Sequence, residues 1–188
     1  MKEFDYELDY KSLDFTDEET RKLYRIGRGE QGVLLVRPYT DSIRSHWRFR
    51  TIPVAEESSR AIHNMYCHYK ENDDFIGMDM CRKFLEMGFT RSRRYANHKS
   101  GRKYKTKPPY YHIGDRGGAE VLPQESDALT NEKAMCASIF KVVRELVVSD
   151  PTYQQMRKEW RSNAATSIRR NFHILTAGNM TSAINGTL

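Results

Sequence analysis

The chain has 188 residues, 38% of them hydrophobic, with 31 Lys+Arg against 25 Asp+Glu and a net charge of +6. That length suits one domain with a tail, and a core of this size needs no disulfide or metal staple. No apolar stretch approaches the ~20 residues of a membrane span, and Cys67, Cys81 and Cys136 form no C-x-x-C pair, which excludes membrane, secreted and disulfide-framework classes.

The opening MKEFDYELDYKSLDF is acidic and lacks a continuous apolar run, so it reads as neither a secretory signal nor a transit peptide. The expected location is cytoplasmic or nuclear. Residues 1–20 hold eight acids and two lysines, a local charge of −6. Within them Phe4, Tyr6, Leu8 and Tyr10 alternate with Asp5, Glu7 and Asp9, the period of an extended segment with one apolar face packed down. Residues 23–26 (LYRI) and 33–36 (VLLV) then read as two short strands around a glycine loop, a β-hairpin ended by Pro38. A linker follows in which Trp47 and Phe49 alternate with Arg48 and Arg50.

From Pro53 the spacing turns helical. Val54, Ala61, Ile62, Met65, Tyr66 and Tyr69 form one apolar stripe, and Asn72-Asp73-Asp74 stops that helix and caps the next. The second helix buries Phe75, Met78, Cys81, Phe84 and Leu85 and is expected to end at Gly88, a good residue for a helix C-terminus. Thr90 then caps a short basic helix over 91–98, and the two resemble a helix-turn-helix pair. A long loop covers 99–124. A helix over 131–148 is expected to bury Met135, Ile139, Val142, Val143 and Leu146, and another opens at Asp150-Pro151 and runs to about residue 161. Residues 162–188, rich in Asn, Thr, Ser and Ala, read as a mobile tail. The expected class is α+β, mostly α-helical: one domain over 1–161 with an N-terminal β-hairpin and four or five helices.

The charge is segregated. Residues 87–114 carry eight Lys or Arg and no acid, a local +8, so the remainder carries −2. Phe89, Tyr95, Tyr104, Tyr110 and Tyr111 are interleaved, and cations with rings between them suit a polyanion bearing stackable bases. The favoured function is therefore non-enzymatic nucleic-acid binding, DNA or RNA. Arg91, Arg93, Arg94, Lys99, Arg102, Lys103 and Lys105 would contact phosphates, Tyr95 and Tyr104 would stack on bases, and Asn97 would read a base edge. The open alternatives are an acidic protein partner, a localisation signal, or neutralisation by the chain's own acidic lead.

Residues 27–32 match G-x-G-x-x-G, but the apolar run after them is not a helix, and no V-A-I-K, H-R-D or D-F-G follows, so dinucleotide and kinase contexts both fail. What survives is Gly27, Arg28, Gly29 and Gly32 as a phosphate-holding turn, the basis of a competing reading as a small enzyme on a phosphorylated or nucleotide ligand. His63 and Cys67, with His68 adjacent, share a helix face but fall short of the four ligands of a structural zinc site. Asp73, Asp74 and Asp79 read as caps and dipole partners. No catalytic residue, metal or cofactor is expected.

The stretches RIGRGEQGVLLVRPY, HWRFR, DDFIGMDMCRKFLEMGFTRSRRYANHKSGRKY and GGAEVLP resemble an uncharacterised family of small proteins, a domain of unknown function found in bacteria, their phages and some eukaryotes. The resemblance runs from about Phe4 to Arg161. It implies no catalytic residue, and it implies that the tail is an addition to the family pattern.

Overall fold

The polar run Asn72-Asp73-Asp74 separates the two longest helices by supplying both a stop and a cap. In the computed structural model, which describes residues 4–105 and 120–163, α3 spans Ile52–Glu71 with Pro53 in its first turn and ends at Asn72. Asp73 takes a left-handed conformation (φ 52°), and the Asp74 carboxylate then accepts from Gly77 N at 3.2 Å to open α4, Phe75–Asn97. Asp74 also receives Arg21 Nη2 (3.0 Å) and the Tyr39 hydroxyl (2.7 Å). One carboxylate thereby ties α1 (Glu18–Arg21) and α2 (Tyr39–His46) to the start of the central helix.

Helix α4 is buried on every side from Phe75 to Leu85, and packs against both α3 and α5 (Glu132–Ser149). A further helix, α6, covers residues 151–163. Rings close the core around it. Phe4 stacks on Tyr10, Tyr10 on Phe15, and Phe15 meets Tyr24 edge-on; Trp160 of α6 then bridges Tyr24 and Phe75. The acidic lead is thus anchored by Phe4, Tyr10 and Phe15, but through bends and turns rather than an extended run, and Tyr6 is exposed.

Three expectations are corrected. The β-hairpin is absent: the fold is all-helical, with no strand among the described residues, and residues 24–26 are irregular while 33–35 lie in turns that end in a bend at 36. Their backbone groups are satisfied locally, Val33 N by Glu30 O and Leu35 N by Gly32 O, while Thr40 Oγ1 donates to Val33 O and Val36 O. Tyr24, Ile26, Val33 and Val36 are buried, so the apolar runs mark anchoring in the core, not strand pairing. The α+β class falls with the hairpin.

The helix-turn-helix pair is also absent, because α4 passes straight through Gly88, Phe89 and Thr90. Gly88 is not a helix end. A Cβ there would lie 2.4 Å from Phe140 Cδ1, so the glycine admits the Phe140 ring of α5 against the α4 backbone. That close approach sets the third correction. Helix α5 buries Ala134, Cys136, Ala137, Phe140 and Val147, and the larger Met135, Val142 and Leu146 point to solvent. The expected mobile tail falls outside the described residues beyond 163; residues 162 and 163 belong to α6.

Candidate nucleic-acid interface

The basic window divides into cations that hold the fold and cations that face water. Arg93 belongs to the fold: Nη1 donates to Ala128 O (3.0 Å) and Nη2 to Asn97 Oδ1 (2.6 Å). Asn97 is occupied by that contact, and its carbonyl accepts from Glu125 N. Lys105 is paired with Glu120 at 3.0 Å, beside the isolated antiparallel bridge between Tyr104 and Val121. Lys103 lies over the Tyr104 ring at 5.5 Å. By contrast Arg94, Lys99 and Arg102 are exposed, and none makes a side-chain hydrogen bond or ion pair among the described residues. Lys107, Tyr110 and Tyr111 lie outside the described residues.

Tyr95 joins the window to a second element. Its ring, 43% exposed, meets Phe49 edge-on at 5.7 Å, and Phe49 in turn lies 5.1 Å from Trp47. On the other side Gly101 (φ 70°) passes so close that a Cβ would stand 2.8 Å from Tyr95 Cε2, so the basic turn Lys99–Gly101 is held against the same ring. The three rings line a groove of about 920 Å³ together with Arg44, Arg48, Arg50 and Lys133. Its one acid among the described residues, Asp41, is paired with Arg37 at 3.4 Å.

The groove wall is pinned by its backbone. Arg48 N donates to Ser58 Oγ (2.9 Å), and Lys133 Nζ donates to Phe49 O (3.0 Å) and to Arg50 O. Lys133 is therefore a strut, while the Arg44 and Arg50 guanidinium groups have no partner among the described residues. Trp47 Nε1 is buried without a hydrogen-bond partner among the described residues. The segment expected as a linker forms a surface, and the alternation Trp47-Arg48-Phe49-Arg50 is its signal in the sequence.

The glycine loop is stitched to its neighbours. Gly27, Gly29 and Gly32 have φ of 68°, 56° and 77°. Arg28 N is bonded to Gln31 Oε1, and Gly29 O accepts from Arg82 Nη1 at 3.2 Å. Arg28 shares a cavity of about 320 Å³ with Arg91, Gly32, Tyr6 and Glu30, the last held by Thr90 Oγ1 at 3.0 Å. The structure thus brings Arg91 to the loop rather than to the groove.

Sequence reading also missed the charge inside α4. Asp79, fully buried, accepts from Tyr24 OH (2.5 Å), Arg82 Nε (2.7 Å) and Tyr153 OH (2.6 Å). Burial alone would raise its carboxyl, but Arg82 and Lys83 outweigh this and hold it below the usual carboxylate range. Three charges at i, i+3 and i+4 inside an otherwise apolar run were the available signal. His63 and Cys67 sit 3.9 Å apart, and among the described residues no group of three or more His, Cys, Asp or Glu could hold a metal ion.

A family model described as Domain of unknown function (DUF4385) matches residues 5–163, nearly the whole stretch over which the resemblance was drawn. No curated protein and no solved structure matches the chain. No helix among the described residues is long and apolar enough to cross a membrane.

Proposed function

The chain belongs to this family of unknown function, and we propose from its own residues that it is a non-enzymatic protein binding single-stranded nucleic acid along the Trp47–Phe49–Tyr95 groove. The observation that carries the reading is the ring series itself, three aromatic side chains in sequence within a wall of arginines. Unpaired bases stack on such rings whatever their identity, and guanidinium groups beside them neutralise successive phosphates. Arg44 and Arg50 fill that second role together with the remaining N–H groups of Arg48, whose Nη1 donates to the Arg44 and Trp47 carbonyls, and Arg94, Lys99 and Arg102 extend the charge past Tyr95. Arg93 and Asn97, engaged with each other and with Ala128, are assigned to the scaffold.

Tryptophan fluorescence tests the reading. A short oligonucleotide should quench Trp47 on stacking, and Trp47→Phe should leave the signal of Trp160 alone and unresponsive. Equal quenching in both proteins would remove Trp47 from the interface. Binding of polyglutamate at the same affinity as an oligonucleotide of equal charge would favour an acidic protein partner instead.

A further inference from the structure

A second cluster of unpaired cations stands at the other end of α5. Lys133, in the groove, and Val148, in this corner, are 15 residues apart on one helix, about 22 Å at 1.5 Å per residue. Where α5 turns into α6, a cavity of about 430 Å³ is lined by Tyr153, Gln154, Arg157, Lys158 and Arg161. Residues 154, 157, 158 and 161 fall on one helical stripe, so three cations converge on the cavity and no acid among the described residues lines it.

Like charges at i, i+3 and i+4 repel, and no ion pair among the described residues neutralises these. Among the described residues none of the three cationic heads has a hydrogen bond or ion pair, and Arg157 Nε is buried without a hydrogen-bond partner. Two acids near the corner, Asp150 and Asp79, are bound to other cations. Asp150 receives Lys70 Nζ (2.6 Å), Tyr66 OH (2.9 Å) and Thr152 N (2.9 Å). Asp79, behind Tyr153, is saturated by Arg82 and two tyrosines. Glu159 accepts from Gln155 at 2.6 Å, and the chain beyond residue 163 contains no Asp or Glu.

Behind the corner the positive excess continues. Lys83, fully buried, and Arg82 share the single carboxylate of Asp79, and Lys83 Nζ and Arg82 Nη2 both lack hydrogen-bond partners among the described residues.

We infer that this corner is an oxyanion site that takes the phosphate of a small phosphorylated ligand, separate from the proposed nucleic-acid groove. The cavity is larger than a phosphate ion and within the range of small-molecule pockets, which leaves room for the group esterified to it. Arg157 and Arg161 offer planar forks able to grip two phosphate oxygens each, and Lys158 adds a point charge.

The test is thermal melting of the full chain with inorganic phosphate, ionic strength being held constant with chloride. A ligand of the native state raises the melting temperature saturably. The response should be lost, or its half-saturation raised at least about tenfold, in Lys158→Gln/Arg161→Gln, whose side chains are exposed and whose helical circular dichroism should be unchanged. Arg157→Lys, which keeps the charge and loses the fork, should weaken it less. Arg48→Gln/Arg50→Gln should leave it intact. A phosphomonoester should compete with inorganic phosphate, and dimethyl phosphate, the diester of a nucleic-acid backbone, should not. No saturable rise, an equal rise in the corner variant, or loss of the rise in the groove variant would each overturn the inference. Equal competition by the diester would assign the corner to a nucleic-acid backbone and overturn the small-ligand assignment.

Discussion

Lys83 holds its ammonium 3.7 Å from the Asp79 carboxylate, and neither side chain is exposed to solvent. That separation is an ion pair without a hydrogen bond. The rings of Tyr24, at 5.0 Å, and Phe4, at 5.5 Å, also face the ammonium. The acidic lead and the irregular segment after α1 are thereby packed around a buried charge, which couples the N-terminal third of the fold to α4.

Removing the acid should therefore be far worse than removing either tyrosine that serves it. Asp79→Ala leaves Arg82 and Lys83 buried and uncompensated, and should cost about 3–5 kcal/mol in urea denaturation. Tyr24→Phe and Tyr153→Phe each remove one hydrogen bond, for about 1–2 kcal/mol. A loss at Asp79 no larger than at the tyrosines would mean that the cluster is not charged in the folded protein.

The same cluster sets a pH dependence with a definite sign. Burial pushes the Lys83 ammonium from 10.5 down to about 8, against the pull of Asp79. Between those values the unfolded chain holds more protons than the folded one, so stability should rise with pH above about 8, by about 1–3 kcal/mol. From about pH 9 upward the buried Cys81 thiol, held well above its ordinary 9.0, opposes this rise, and above pH 10 the direction reverses. Burial raises Tyr24 and Tyr153 beyond their ordinary value of 10.0, so the folded state keeps protons that the unfolded chain releases. Denaturation between pH 7.5 and 8.5 should show the rise, and Lys83→Met should flatten it.

Gly88→Ala should destabilise by about 1–3 kcal/mol although alanine is the better helix former, because the added methyl meets the Phe140 ring. Phe140→Leu should recover part of that loss. A stabilising Gly88→Ala would mean that α4 and α5 are not in such close contact.

These residues mark the limits of sequence reading. Helix α3, the start of α4 and the start of α5 were legible because caps and periodicity are local: Pro53, Asp74 and Asn131 each act within one turn. Gly88 was not, since a glycine at a helix end and one beneath a ring from another helix look alike without the partner. The apolar runs at 23–26 and 33–36 failed for the same reason; burial in turns and burial in strands leave similar short patterns. On α5 the larger apolar residues outlined a plausible buried stripe, but tight docking selected the face carrying Ala134 and Ala137. In the basic window composition gave the charge, and only the structure separated Arg93 from Arg94.

That separation is itself testable. Arg94→Gln should weaken oligonucleotide binding without changing stability. Arg93→Gln should lower stability by about 1–3 kcal/mol through the lost contacts to Ala128 and Asn97, and leave affinity nearly unchanged once folding is accounted for. Fluorescence anisotropy alongside urea melts distinguishes the two.

The proposed interface is tested most directly by the salt dependence of single-stranded oligonucleotide binding in the wild type and in Arg44→Gln/Arg48→Gln/Arg50→Gln. Each phosphate neutralised on a single strand contributes about −0.7 to the slope of log K against log salt. Engagement of the three groove arginines with Arg94, Lys99 and Arg102 predicts a wild-type slope of about −4, falling to about −2 in the triple variant. Equal slopes in the two proteins, or no binding by the wild type at low salt, would contradict nucleic-acid recognition in the Trp47 groove.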